Sequence, residues 1–473
     1  MTLRESLLQK AKKAKIQREM GNGNQVLTPH DLVTKDQLTS LSGGDFYAPC
    51  SQPALTCLLH GYDGFNNSDM ELVELCVSKA REIFGDTLPD EVAERLEAEL
   101  DGILKHNYSP VYMLAYKIAK MSNDAGYPVW LRGSAGSMLV AYLLGISEFN
   151  PILNPLQLDL PFEVYAGLDG ELDRVRVPCM DISVSDEFLS NHQEDLEKMF
   201  EPFDLEGKGF VKIYLMWADS TGSTGLADSI DLTDSVSSAN PTNNLTGLTN
   251  PISSGNAIYI NLIKCNNLTR IKRLEDITGV DAKTIPLDDE KTLSLFASAD
   301  TLGVPEFESE WFQAAINTMN TINTISTVNI TNTINTINTI PPKTFADLVK
   351  LYGLFCGTNT WDDNAEALIK SGAATLSQVI AHRDEVMVHL MQQGIVREMV
   401  YEIMENVRRG KGLTSEHRDL MLKSGIPQWY ADSCDKIGYL FPLAHSMAFV
   451  AMALRLAWFK AHYLEEFRVV FDE

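Results

Sequence analysis

The stretch GYPVWLRGSAGSMLVAYLL, residues 126–144, decides how the chain is organised. Gly126-Tyr127-Pro128 is a turn signal, since Gly and Pro punctuate regular structure. Val129-Trp130-Leu131 reads as a short strand of β-branched and aromatic residues, and Met138 to Leu144 as an apolar helix. Between them lies Arg132-Gly133-Ser134-Ala135-Gly136-Ser137. Glycines at 133 and 136 let backbone N–H groups approach a phosphate, Ser134 and Ser137 add hydroxyl donors, and a helix N-terminus follows. Taken alone, the same loop is also an ordinary Gly/Ser strand-to-helix turn, so its surroundings must choose between the two.

Working outward, residues 1–88 form an N-terminal helical and irregular segment, opening with a basic helix and holding another near Asp69 to Phe84. Pro89 to Lys120 places Leu and Ile at three- and four-residue spacing and is helical in pattern. Strand-like runs recur at Val175 to Val184, Phe210 to Trp217 and Ala257 to Ile263, so region 89–316 mixes strands with helices around a polar loop at 220–256. Residues 317–342 are an Asn/Thr/Ile repeat whose three-residue period matches neither strand nor helix, and they read as a linker. Residues 343–473 are almost wholly helical in pattern, with Gly353, Gly394, Gly410-Lys411-Gly412 and Gly425 with Pro427 at helix ends. This last region is expected to fold without the preceding one. The fold class is α+β.

The chain has 473 residues, 45% hydrophobic and 22% charged, as in an ordinary globular protein. No apolar run reaches the roughly 18 residues a membrane span requires, and the basic N-terminus lacks the apolar core of a signal peptide. Seven scattered cysteines without a Cys-x-x-Cys pair argue against a structural zinc or a disulfide framework and fit a reducing cytoplasm. The formal net charge of −25 works against phosphate-backbone binding and in favour of protein or small-molecule partners. A locally basic patch from Arg383, Arg408, Arg409, Lys411 and Lys436 remains open, as does its reading as a solvated face. Trp361, Trp429, Tyr439, Phe441, Phe449 and Trp458 read as core residues before base-stacking ones.

Three blocks together resemble one family. They are 88–151, including LPDEVAERLEAELDGIL and the quoted stretch; IKRLEDITGVDAKTIPLDDEKTLSLFASADTLGVPEF at 271–307; and residues 344–463, including FPLAHSMAF. In this order they resemble the PolC-type bacterial DNA polymerase III alpha subunit, a C-family DNA polymerase. The resemblance implies a palm remnant followed by a mostly α-helical fingers-like domain. It also implies that Arg132, Gly133, Ser134, Gly136, Ser137 and His445 face the incoming triphosphate.

The family's template-directed dNTP transfer uses Mg²⁺ held by three aspartates, because hard cations take carboxylate oxygens. On this alignment Asp181 is retained as catalytic and metal residue, Cys179 stands where its partner aspartate would be, and Asn261 replaces the third. Asp169, Asp173 and Asp186 are alternative carboxylates, but none has strand-alternate spacing to Asp181. Leu443 stands for a lysine, Cys356 for a histidine and Asn359 for an aspartate, and zinc-binding cysteines after Asn150-Pro151 are absent. The chain is therefore expected to be a catalytically inactive relative that does not bind Mg²⁺ productively. Its expected partners are replisome proteins, with weak DNA and dNTP binding. An active polymerase with an unorthodox metal site and a nucleotide- or protein-binding module built on the Arg132 loop are the competing readings.

Overall fold

The computed structural model describes residues 2–20, 54–59, 68–105, 108–153, 156, 180–201, 210–216, 257–310, 312–314, 316 and 342–471. The polar loop at 220–256, the Asn/Thr/Ile repeat and Cys179 lie outside them. The architecture is α+β, mostly helical, and divides into two compact units. The first comprises Met1–Ala125, Leu139–Ile146 and Val164–Lys264, and the second Gly126–Met138, Ser147–Glu163 and Cys265–Glu473.

In the first unit, strands β1 (Ala54–Leu59), β3 (Met180–Val184), β4 (Phe200–Glu201), β5 (Phe210–Met216) and β6 (Ala257–Lys264) lie in the order β3-β6-β5-β1-β4. β2 (Trp130–Arg132) belongs to the second unit. β3 runs parallel to β6, β6 antiparallel to β5, and β5 parallel to β1. The two-residue period sorts the strands: Ile260 and Leu262 are buried while Asn261 between them is half-exposed, and Asp181 is half-exposed between buried Met180 and Ile182. Helix Ser109–Asp124 packs against β3 and β6. The run expected to be helical from 89 to 120 is two helices, Asp90–Lys105 and Ser109–Asp124. Pro110 is the reason, since its missing N–H is tolerated only in a first helical turn.

The second unit is helical. Helix Phe345–Cys356 opens with a Thr344/Asp347 capping box. Helices Arg383–Gln392, Arg397–Arg408, Ser415–Lys423 and Gln428–Lys436 enclose their own apolar cluster, from Ile380 to Leu440. Gly394, Gly410, Gly412 and Gly425 have positive φ at helix ends, as the sequence suggests. Gly353 corrects that pattern: it lies buried inside helix Phe345–Cys356, because a Cβ there would stand 2.3 Å from His382 Nε2.

The long helix Leu443–His462 buries Met447, Val450, Leu454 and Phe459 in a second cluster. Residues on both sides of the repeat contribute to it, including Phe296, Phe307, Phe312 and Ile316 before and Phe345 and Leu348 after. A fragment beginning at 343 therefore forfeits Phe296, Phe307, Phe312 and Ile316 from the core around this helix, and a fragment beginning at Cys265 keeps them while losing Trp130 and Phe149. By circular dichroism, residues 265–473 should melt cooperatively and well above residues 343–473. Coincident melts would show that the earlier residues add nothing.

Candidate functional site

The Arg132 loop sits in the second unit. Gly133 adopts φ 80° and ψ −163°, a conformation open to glycine, before a 3₁₀ turn from Ser134 to Ser137. The Arg132 guanidinium lies 4.6 Å from the centre of the Phe449 ring, a cation–π contact. No carboxylate among the described residues pairs with it at ion-pair distance. The Gly133 N–H donates to His445 Nδ1 at 3.3 Å. Enclosure by the protein, with Arg132 and His382 nearby, pushes His445 down to about 3. The imidazole is thus neutral at pH 7, carrying its proton on Nε2. Phe441 stacks on it at 4.9 Å, and Tyr352 stacks on Phe449 at 5.5 Å.

The fold brings Arg132, Gly133 and His445 together but turns other loop groups inward. Ser137 Oγ donates to the Ser134 carbonyl at 2.8 Å, and the Gly136 carbonyl accepts from Ser147 Oγ at 3.2 Å. The Gly136 N–H points to the Gly133 carbonyl at 3.4 Å, and a Cβ at Gly136 would stand 3.2 Å from that of Ala444. Gly136 is thus small because helix Leu443–His462 passes close by. Ser134 and Ser137 are both buried.

The helix N-terminus expected to serve the loop is occupied from within the first unit. Leu139 and Val140 donate their N–H groups to the two oxygens of Glu99, each at 2.9 Å. Arg95 pairs with the same carboxylate at 2.5 Å. Sequence reasoning missed Glu99 because it is one of several acidic residues on an amphipathic helix. It also missed Glu306, which has φ 68° and whose carboxyl is raised by desolvation, while Arg132 pulls it back. Only Gly303 and Pro305 beside it hinted at an unusual backbone.

Asp181 and Asn261, the positions that the family resemblance assigns to metal, lie in the first unit. The β3–β6 register sets Asp181 directly beside Asn261, and Asn261 Nδ2 donates to Asp181 Oδ1 at 2.5 Å. An ionised carboxylate is acceptor-only, so the amide must present its NH₂ to it. Asn261 Oδ1 is left buried without a hydrogen-bond partner among the described residues. A pair of Mg²⁺ ions needs converging oxygen lone pairs, whereas here an N–H bond points at the one carboxylate of the pair. The residues do not fit that pair of ions. Asp186 opens a short helix capped by Ser185, on a different element from Asp181.

Other departures have structural counterparts. Leu443 is buried, and its N–H donates to Asp384 Oδ2 at 2.6 Å. Asn359 takes φ 55°, which Asn tolerates, and Cys356 is exposed at the end of its helix. Within the cationic cluster, Arg408 and Arg409 share the single carboxylate of Glu405, and Lys436 donates to the Asp363 carbonyl at 2.7 Å. Trp361 and Phe449 are buried in the apolar cluster, with Trp429 and Trp458 packed against it. No described helix is long and apolar enough to cross a membrane.

Comparison with known proteins places the chain in a family. Residues 70–202 match the bacterial DNA polymerase III alpha NTPase domain. Residues 267–331 and 325–426 match the bacterial DNA polymerase III alpha subunit finger domain. These matches define the class as bacterial DNA polymerase III alpha. DNA polymerase III PolC-type of Caldanaerobacter subterraneus subsp. tengcongensis is 32% identical over 489 residues, covering 85% of this chain and 34% of that protein. The Thermotoga petrophila protein is 32% identical with the same coverage. That of Staphylococcus aureus strain MW2 is 31% identical over 515 residues, covering 92% and 35%. The chain belongs to the PolC-type family, and it spans about a third of the length of these relatives.

Proposed function

We propose that this chain is a PolC-type DNA polymerase relative that does not transfer nucleotides and acts through binding instead. The first unit corresponds on this reading to a palm remnant, and the helices after Lys343 to fingers. The observation that carries the reading is the Asn261 amide seated on the Asp181 carboxylate. Losing the clamp that activates the primer hydroxyl and stabilises pyrophosphate removes several kcal/mol of transition-state stabilisation, and each ~1.4 kcal/mol is tenfold in rate. The intact protein is expected to give no Mg²⁺-dependent extension of a primed template. Template-dependent dNTP incorporation above a heat-killed control, abolished by Asp181→Ala, would overturn the reading in favour of an active polymerase with an unorthodox metal site.

A second reading adds a nucleotide or phosphate ligand. Its support is the Arg132 guanidinium, which lies over the Phe449 ring and forms no ion pair among the described residues, with Glu306 near enough to feel its charge. Ser137 and Gly136, tied into the loop, contribute packing rather than donors. DNA binding is expected to be weak because a net charge of −25 repels phosphate. Replisome proteins are the partners the family suggests.

A further inference from the structure

We propose that Asn261 is a built-in substitute for the divalent cation, so that the sheet holds Asp181 in place without metal. Two carboxylates side by side on adjacent parallel strands repel one another unless a cation lies between them. Asp181 and Asn261 stand side by side in that way, in direct register on β3 and β6, with an amide where a second carboxylate would be. The amide delivers the positive end of an N–H dipole to the carboxylate oxygen, and a hydrogen bond to an ionised acceptor is among the stronger ones. Both residues are half-exposed between buried neighbours, so their backbone positions are fixed by Met180, Ile182, Ile260 and Leu262 packed on the other side. Asn261 Oδ1, which has no hydrogen-bond partner among the described residues, is the counterpart of this orientation. Turning the amide over would satisfy a cation and would break the bond to Asp181. An Asn at 261 is thus more than a lost ligand: it removes the second negative charge and keeps an N–H donor turned onto the first.

The inference rests on reading positions 181 and 261 as the family's metal positions, and it is separable from inactivity. The test uses the intact chain, with Mn²⁺ as the probe and a chelator as reference. The native protein should melt at the same temperature with chelator and with Mn²⁺. Asn261→Asp should melt lower than native in chelator and recover in Mn²⁺. If Asn261→Asp does not fold, Mn²⁺ titration followed by water-proton relaxation still decides between native and Asp181→Asn. Equal Mn²⁺ responses support the substitution. A native Mn²⁺ signal that Asp181→Asn removes overturns it, as does an Asn261→Asp protein indifferent to both chelator and Mn²⁺. Primer extension without an Asp181-dependent Mn²⁺ signal would sink the proposed inactivity and leave this inference standing.

Discussion

Gly353→Ala is expected to cost the helical unit about 3–5 kcal/mol, the sum of overpacking and a broken buried hydrogen bond. The new Cβ would lie 2.3 Å from His382 Nε2, 2.5 Å from Cε1 and 2.9 Å from Cδ2. The ring has nowhere to go. It is fully buried, held by Ser446 Oγ at 2.8 Å on one side and Glu385 Oε1 at 3.3 Å on the other. Glu385 in turn accepts from Lys350 Nζ at 2.8 Å. Burial alone would raise the Glu385 carboxyl, but Lys350 and His382 outweigh it and hold it far below the usual range. Displacing the imidazole therefore disturbs a connected chain of groups on three helices. Gly102→Ala is the control, because it sits in a helix with nothing within 4 Å of the added Cβ. That change should be neutral or stabilise by up to ~1 kcal/mol. A thermal melt by circular dichroism should drop by roughly 10 °C for Gly353→Ala. Equal melting temperatures for Gly353→Ala and native would show that the ring moves freely.

Glu99→Ala should be the most damaging change in the first unit, at about 3–5 kcal/mol. The carboxylate is buried and serves three donors: the N–H groups of Leu139 and Val140 and the Arg95 guanidinium. Removing it leaves two backbone donors without their acceptor in a low-dielectric setting and takes one ionic partner from the Arg95 guanidinium. Adding Arg95→Met should recover part of the loss, since the guanidinium that faced Glu99 is then gone. The urea midpoint followed by far-ultraviolet circular dichroism reports both variants. An unchanged midpoint in Glu99→Ala would mean that water replaces the carboxylate.

Periodicity carried much of the fold. The strand runs near 180, 210 and 257 lie where alternation and β-branched residues put them, and the positive-φ glycines at 394, 410, 412 and 425 end helices. Gly353 escaped because sequence records that a residue is small without recording why. A helix end and a close approach to His382 give the same letter. The pairing of positions 181 and 261 across neighbouring strands was legible only through family resemblance, because eighty residues separate them in the chain. That the amide would turn its NH₂ onto the carboxylate follows from register, which periodicity cannot supply. The tying of Ser137 and Gly136 into the loop, and the occupation of the next helix by Glu99, are tertiary facts without local signature.

The buried imidazole of His382 also acts as a clock. Its Nδ1 lies 3.3 Å from Glu385 Oε1 and its Nε2 2.8 Å from the Ser446 hydroxyl, so both ring nitrogens are engaged inside the protein. Neither nitrogen meets solvent, since the residue has no exposed surface. Its N–H can therefore exchange with deuterium only when helices Phe345–Cys356, Arg383–Gln392 and Leu443–His462 part from one another. Motions confined to helix ends and turns leave it untouched, whereas openings of the packed interior expose it. One side-chain resonance thus times the least frequent opening of the helical unit.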